Sequence, residues 1–173
     1  CLAQRYKKQL AAALPEVDFF VGTDEFLRLS EILEEAKQKK LKTNVFTKRN
    51  HSIYSEFLPR MNTLDSTSAY VKVAEGCQHN CAFCIIPAIR GKLRSRSVES
   101  VHVEVQNLVK NGVKEVVLIA QDLAAYGRDE SKENLLPLLR KLVSIDGLEW
   151  IRLLYIYPEN IDDNFLEFIA KEK

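Results

Sequence analysis

Cys77, Cys81 and Cys84 fall within one octet of the chain, separated by three and then two residues, with Gln78, His79 and Asn80 between the first two. Thiolates at this spacing can converge on one face of a compact loop and supply three soft metal ligands. A closed structural zinc site needs a fourth ligand, for which His79 or the distant Cys1 would have to serve. An iron-sulfur cubane with one iron left open for a substrate or cofactor uses three ligands naturally. Spacing alone leaves zinc as a rival, whereas position directly after a parallel strand favours iron and sulfur. Thiol-disulfide exchange by Cys81 and Cys84 explains two cysteines and ignores Cys77. Inert core cysteines fit poorly beside such polar neighbours.

The elements that must hold this loop alternate strand and helix. A strand over 69–74 leads into the cysteines and a helix over 98–111 follows, closed by Gly112 as a C-terminal cap would close it. The strand over 115–120 is almost continuously apolar, as burial on both faces demands. A helix over 135–144, a strand over 149–155 and a helix over 161–171 complete three alternations. This order argues for a parallel sheet with right-handed crossovers, and three units are fewer than a closed (β/α) barrel contains. Upstream, Leu2, Tyr6, Leu10 and Leu14 form a helical stripe that Pro15 stops. A buried strand over 17–21 follows, then a helix over 25–40 with Thr23 and Asp24 as capping candidates.

The fold class is therefore α/β. Residues 1–42 read as the C-terminal part of an N-terminal α/β domain and 68–173 as the first three βα units of a partial barrel. The polar stretch 43–67, with one strand candidate at 44–47, reads as the linker between them. Across 173 residues, 25 Lys and Arg balance 24 Asp and Glu to a net charge of +1, so no global field recruits a polyanion. Hydrophobic residues at 46% and charged residues at 28% exclude a wholly disordered or rod-like chain. No apolar run approaches the roughly 20 residues of a membrane span, and no signal-peptide core follows the first residues, so a cytoplasmic chain without a membrane partner is expected. A start at Cys1 and not at Met reads as a fragment, and three βα units read as a barrel broken off partway, so both ends are expected to be missing.

The run Cys77-x-x-x-Cys81-x-x-Cys84, with Phe83 before the last cysteine, resembles the signature of radical S-adenosylmethionine (SAM) enzymes. Residues 71–77 and the stretch from Cys84 through Arg90, Lys92, Arg94 and Arg96 look like the methylthiotransferase branch of that superfamily. Within the branch, residues 74–77, Gln121-Asp122 with Tyr126-Gly127, and Trp150 through Tyr155, Tyr157 and Pro158 are similar to the RimO type, which modifies an aspartate of a small-subunit ribosomal protein. The tRNA-modifying MiaB type more often shows Arg before Gly-Cys, Gln-Asn after the second strand and Ser-His-Pro after the third. It stands as the alternative, with a structural zinc module as a third reading.

The resemblance implies that Cys77, Cys81 and Cys84 hold a 4Fe-4S cluster whose fourth iron is chelated by SAM. Reduction by an external electron donor would then yield a 5′-deoxyadenosyl radical that takes a hydrogen from the β-carbon of the target aspartate. Cys1 would be one ligand of a second, auxiliary cluster carrying the transferred sulfur. Phe83 would pack on the cofactor adenine, with core filling as the bland alternative. Gln121 and Asp122 would hydrogen-bond the cofactor, with loop capping as theirs. Arg90, Lys92, Arg94 and Arg96 read as an exposed charged loop, or else as partners of a carboxylate. His51, His79 and His102 form no catalytic constellation, and His102 reads as a surface residue of its helix. No catalytic side chain is singled out.

Overall fold

The computed structural model describes residues 1–38, 43–49, 53–61, 67–129, 131 and 133–172. They form two compact units, residues 1–52 with 79–91 and residues 53–78 with 92–173. The first unit contains α1 (Leu2–Ala13), β1 (Phe20–Val21), α2 (Leu29–Lys37), β2 (Val45–Phe46) and α3 (Ile86–Arg90). β1 and β2 pair in parallel, Phe20 opposite Val45, and backbone bonds from Phe20 to Asn44 (2.8 Å) and Gly22 to Phe46 (2.7 Å) flank the pair. Gln4, on the buried side of α1, joins the pair by donating from Nε2 to the Thr47 carbonyl at 3.1 Å.

Two expectations for this unit change. The helix expected over 25–40 opens with a 3-10 turn, Phe26–Arg28, before α2 begins, and its end at 39–40 lies outside the described residues, as does His51. Neither Thr23 nor Asp24 caps it. The Thr23 hydroxyl instead donates to the Ile89 carbonyl of α3 at 3.1 Å. α3 itself leaves no periodic trace in the sequence because five residues are too few for a helical stripe. Pro87 sits in its first turn, where a missing N–H costs nothing.

The second unit follows the expected alternation closely: β3 (Ser68–Lys72), β4 (Ala74–Glu75), β5 (Arg94–Ser95), α4 (Val98–Lys110), β6 (Glu115–Ile119), α5 (Leu135–Val143), β7 (Trp150–Leu153) and α6 (Asp163–Lys171). β3, β6 and β7 form a parallel sheet in the order β3-β6-β7, with Tyr70 opposite Val117 and Val117 opposite Arg152. The strand expected over 69–74 breaks after Lys72, and β4 turns away to pair antiparallel with β5. No hydrophobic alternation could announce a two-residue strand inside the basic run.

One face of the sheet packs into the core. Ala69, Val71, Val116 and Leu118 are buried there with Val101, Val105 and Leu108 of α4, Leu138 and Leu142 of α5, and Phe165 and Phe168 of α6. α4 and α6 start where side chains cap them. Ser97 Oγ accepts from the Ser100 amide at 3.1 Å, and Asp162 Oδ1 from the Phe165 amide at 2.8 Å. α4 ends as expected at Gly112, with the Gly112 and Val113 amides bonding back to Val109 and Leu108. The β3 edge that faces away from β6 is covered, since Arg60 donates to the Tyr70 carbonyl (2.5 Å) and Arg96 to the Lys72 carbonyl (3.0 Å).

Candidate metal and cofactor site

The cysteine segment starts from a fixed point. Backbone pairing between β3 and β6 runs out with the Val73 amide on the Ile119 carbonyl at 3.0 Å. Three residues on, the buried amide of Gly76 finds its acceptor in a side chain, Gln121 Oε1, at 2.6 Å. Gly76 has φ 85°, a left-handed conformation that a residue with a Cβ adopts only with strain, so glycine belongs immediately before Cys77. The Glu75 carboxylate beside it is buried and paired with Lys72 Nζ at 2.6 Å.

Beyond this point the chain is open. Cys77 is half-buried, Cys81 and Cys84 are exposed, and none of the four cysteines is in a disulfide. The Cys84 amide donates to the Cys81 carbonyl at 3.0 Å and closes a turn over Ala82 and Phe83. Phe83 is 93% exposed, which removes the core-filling reading of its ring. Among the described residues no three His, Cys, Asp or Glu side chains converge as a ready metal-binding group. The donor set is nonetheless three free, reachable thiols, the chemistry an iron-sulfur cluster takes. Cys1, exposed at the start of α1, lies with its Sγ 3.7 Å from the Arg90 guanidinium.

The segment 121–129 after β6 is packed and bonded along nearly its whole length. Asp122 is buried, and its Oδ1 accepts from the Ala124 (3.0 Å) and Tyr157 (3.3 Å) amides while Oδ2 accepts from Asn160 Nδ2 (3.2 Å). That is the capping geometry, with both oxygens engaged by protein donors. The Leu123 amide reaches the carbonyl of Tyr155, a residue held at φ 61° just past β7. Tyr126 is buried and its hydroxyl donates to the Arg96 carbonyl at 2.7 Å; burial, with Glu133 nearby, pushes its pKa well above the usual phenol range. Gly127, at φ 79°, donates to Ser95 Oγ at 2.9 Å, and a Cβ there would lie 1.6 Å from the Glu133 carbonyl oxygen. Asp129 accepts from the Ser95 and Ser131 amides and the Ser131 hydroxyl; burial raises its pKa, but these bonds outweigh it and hold the carboxyl below its ordinary value.

The basic run is not one exposed loop. Lys92 is exposed and Arg90 and Arg94 are half-buried, but the Arg96 side chain is only 1% exposed. Arg96 pairs with Glu104, donates to Ser100 Oγ at 2.9 Å and covers the β3 edge, so its charge is consumed inside the fold. Its spacing from α4 was the available signal, because Arg96, Ser100 and Glu104 lie four residues apart. His102 is likewise half-buried and not a surface residue, with Nδ1 3.9 Å from the Glu99 carboxylate.

Comparison with known proteins meets this geometry at one place. The family model of the radical SAM superfamily matches residues 71–172, from β3 through α6. The chain belongs to the radical SAM superfamily. Membership implies SAM and a 4Fe-4S cluster as cofactors. Over 99% of its length the chain is 44% identical to the ribosomal protein uS12 methylthiotransferase RimO of Citrifermentans bemidjiense and 46% identical to that of Geobacter sulfurreducens. It is 45% identical over its full length to the RimO of a Thermoanaerobacter species. The chain spans 38 to 39% of the length of these relatives. The similarity thus runs unbroken through both packing units.

Proposed function

We propose that this chain is the cluster-binding part of a methylthiotransferase that modifies an aspartate of ribosomal protein uS12. The observation that carries the reading is the set of three free thiols, Cys77, Cys81 and Cys84, in the segment that follows β3 and β4 in a superfamily chain whose relatives are RimO enzymes. In this reading the three cysteines hold the 4Fe-4S cluster and leave one iron for SAM, and Cys1 serves an auxiliary cluster. The bound cofactors supply a carbon-centred radical able to abstract hydrogen from an unactivated C–H bond. The protein contributes placement. Phe83 offers an open aromatic face for the adenine, and Gln121 holds the Gly76 amide that precedes Cys77.

Residues 1–42 would act as the end of the auxiliary-cluster domain, 43–67 as linker and 68–173 as the first half of an incomplete barrel. The whole enzyme would work in the cytoplasm, where its ribosomal substrate and an electron donor are found. Among the described residues no helix is long and apolar enough to cross a membrane.

Anaerobic reconstitution tests the cluster assignment. About four iron and four sulfide per chain are expected at the three-cysteine site, lost on Cys77→Ala, Cys81→Ala or Cys84→Ala. Stoichiometric zinc without sulfide, or variants that bind as much iron as the parent, would overturn it. For the substrate, mass spectrometry of uS12 and tRNA from cells lacking the full-length gene should show the methylthio group missing from uS12. A loss confined to tRNA rejects the assignment.

A further inference from the structure

We infer that Gln121 is a positioning residue for the cysteine loop, acting through the Gly76 amide that its Oε1 accepts. The inference rests on the proposed function only in what the loop is for.

Its physical basis is independent. A buried backbone N–H must find an acceptor, because one left unpaired bears the full cost of losing its water. Between β3 and β6 the ladder supplies acceptors only as far as Ile119, which takes the Val73 amide. β4 then pairs with β5, so the Gly76 amide has left the reach of the β6 backbone. Gln121, two residues beyond Ile119, replaces the missing rung with its side chain, and the 2.6 Å separation is short for an N–H···O bond. Gly76 is the residue before Cys77, and its φ of 85° sets the direction in which the chain enters the loop. The Gln121 carbonyl oxygen therefore fixes the last point before the first thiol.

The neighbouring side chain makes the same kind of tie in the other direction. Asp122 binds the Tyr157 amide and Asn160 beyond β7. Two consecutive residues at the end of the central strand thus fasten the segments that follow both flanking strands. Once its Oε1 is occupied by Gly76, Gln121 does for the first segment what Asp122 does for the second.

Acceptor and donor roles separate cleanly by substitution. Gln121→Glu keeps an oxygen acceptor and removes the amide donor, Gln121→Met keeps the shape and removes the acceptor, and Gln121→Asn is one methylene too short to reach. Hydrogen exchange at the Gly76 and Cys77 amides of the metal-free chain is the first readout, and iron release to a chelator from the reconstituted chain is the second. Gln121→Met and Gln121→Asn should exchange and release iron about tenfold faster than the parent, the scale seen for groups that orient metal ligands. Gln121→Glu should stay within about twofold of the parent, and urea midpoints of all variants that fold check that exchange is local.

Equal loosening in Glu and Met variants, or no loosening in the Met variant, overturns the inference. So does a Glu variant that loosens more than the Met variant. If the parent chain binds no iron-sulfur cluster at all, the proposed function fails, yet the exchange readout still decides the role of Gln121.

Discussion

Two segments leave neighbouring strands of the same parallel sheet and differ in almost every physical respect. The one after β6, residues 121–129, is buried nearly throughout and spends its polar groups on other protein groups. The one after β3 and β4 is anchored at Gly76 and then exposes Cys81, Phe83 and Cys84 to solvent. Exposing a phenylalanine and two thiols forgoes burial energy that the fold could have had, at roughly 25 cal/mol per Å² of apolar surface. The difference separates a packed framework from an open segment, which under the proposed function is the one that meets the cofactor.

The contrast makes the framework sensitive and the working loop tolerant. Arg96→Leu should do the most damage, because Glu104 loses its buried partner and the Lys72 and Ser100 groups lose a donor. A loss of about 3 kcal/mol or more is expected in urea unfolding. A loss below about 1 kcal/mol would mean that the buried network is not what holds β5 and α4 to the β3 edge.

Acid should act next, through Asp129. Its carboxyl titrates below its ordinary value in the fold, so the stabilisation it provides is complete above the unfolded value of about 3.9 and disappears as pH falls through the folded one. The urea midpoint of the parent should accordingly fall more steeply below about pH 4 than that of Asp129→Asn. Parallel curves would show that the bonds from Ser95 and Ser131 contribute nothing.

Phe83→Ala should have the smallest effect on folding, under about 0.5 kcal/mol, since the ring touches little. The same substitution should weaken SAM binding to the reconstituted chain, measured by calorimetry. A variant that unfolds easily but binds normally would invert the roles assigned to the two segments.

Much of this was legible in order of residues alone. The strands over 115–120 and 149–155 and the helices over 98–111 and 135–144 appear within a few residues of their expected bounds. Their hydrophobic patterns are set locally: the helices by their period, and the strand over 115–120 by a short, β-branched apolar run between turns. The three-cysteine spacing is likewise a local fact; it left zinc as a rival, and its place after a strand with the resemblance of the surrounding residues pointed to the chemistry that the superfamily match supports. What the sequence could not order was the fate of individual polar groups. Arg96 and Lys92 look alike in a run of basic residues, yet one is buried against Glu104 and the other faces water. Gln121 and Asp122 look alike as loop residues beyond a strand, and only the break in the β3–β6 ladder sends Gln121 to Gly76 while Asp122 turns to Tyr157 and Asn160. Hydrophobic patterning is a property of neighbours along the chain, whereas hydrogen-bond partners more than 20 residues apart are chosen by which donors the folded backbone leaves unpaired.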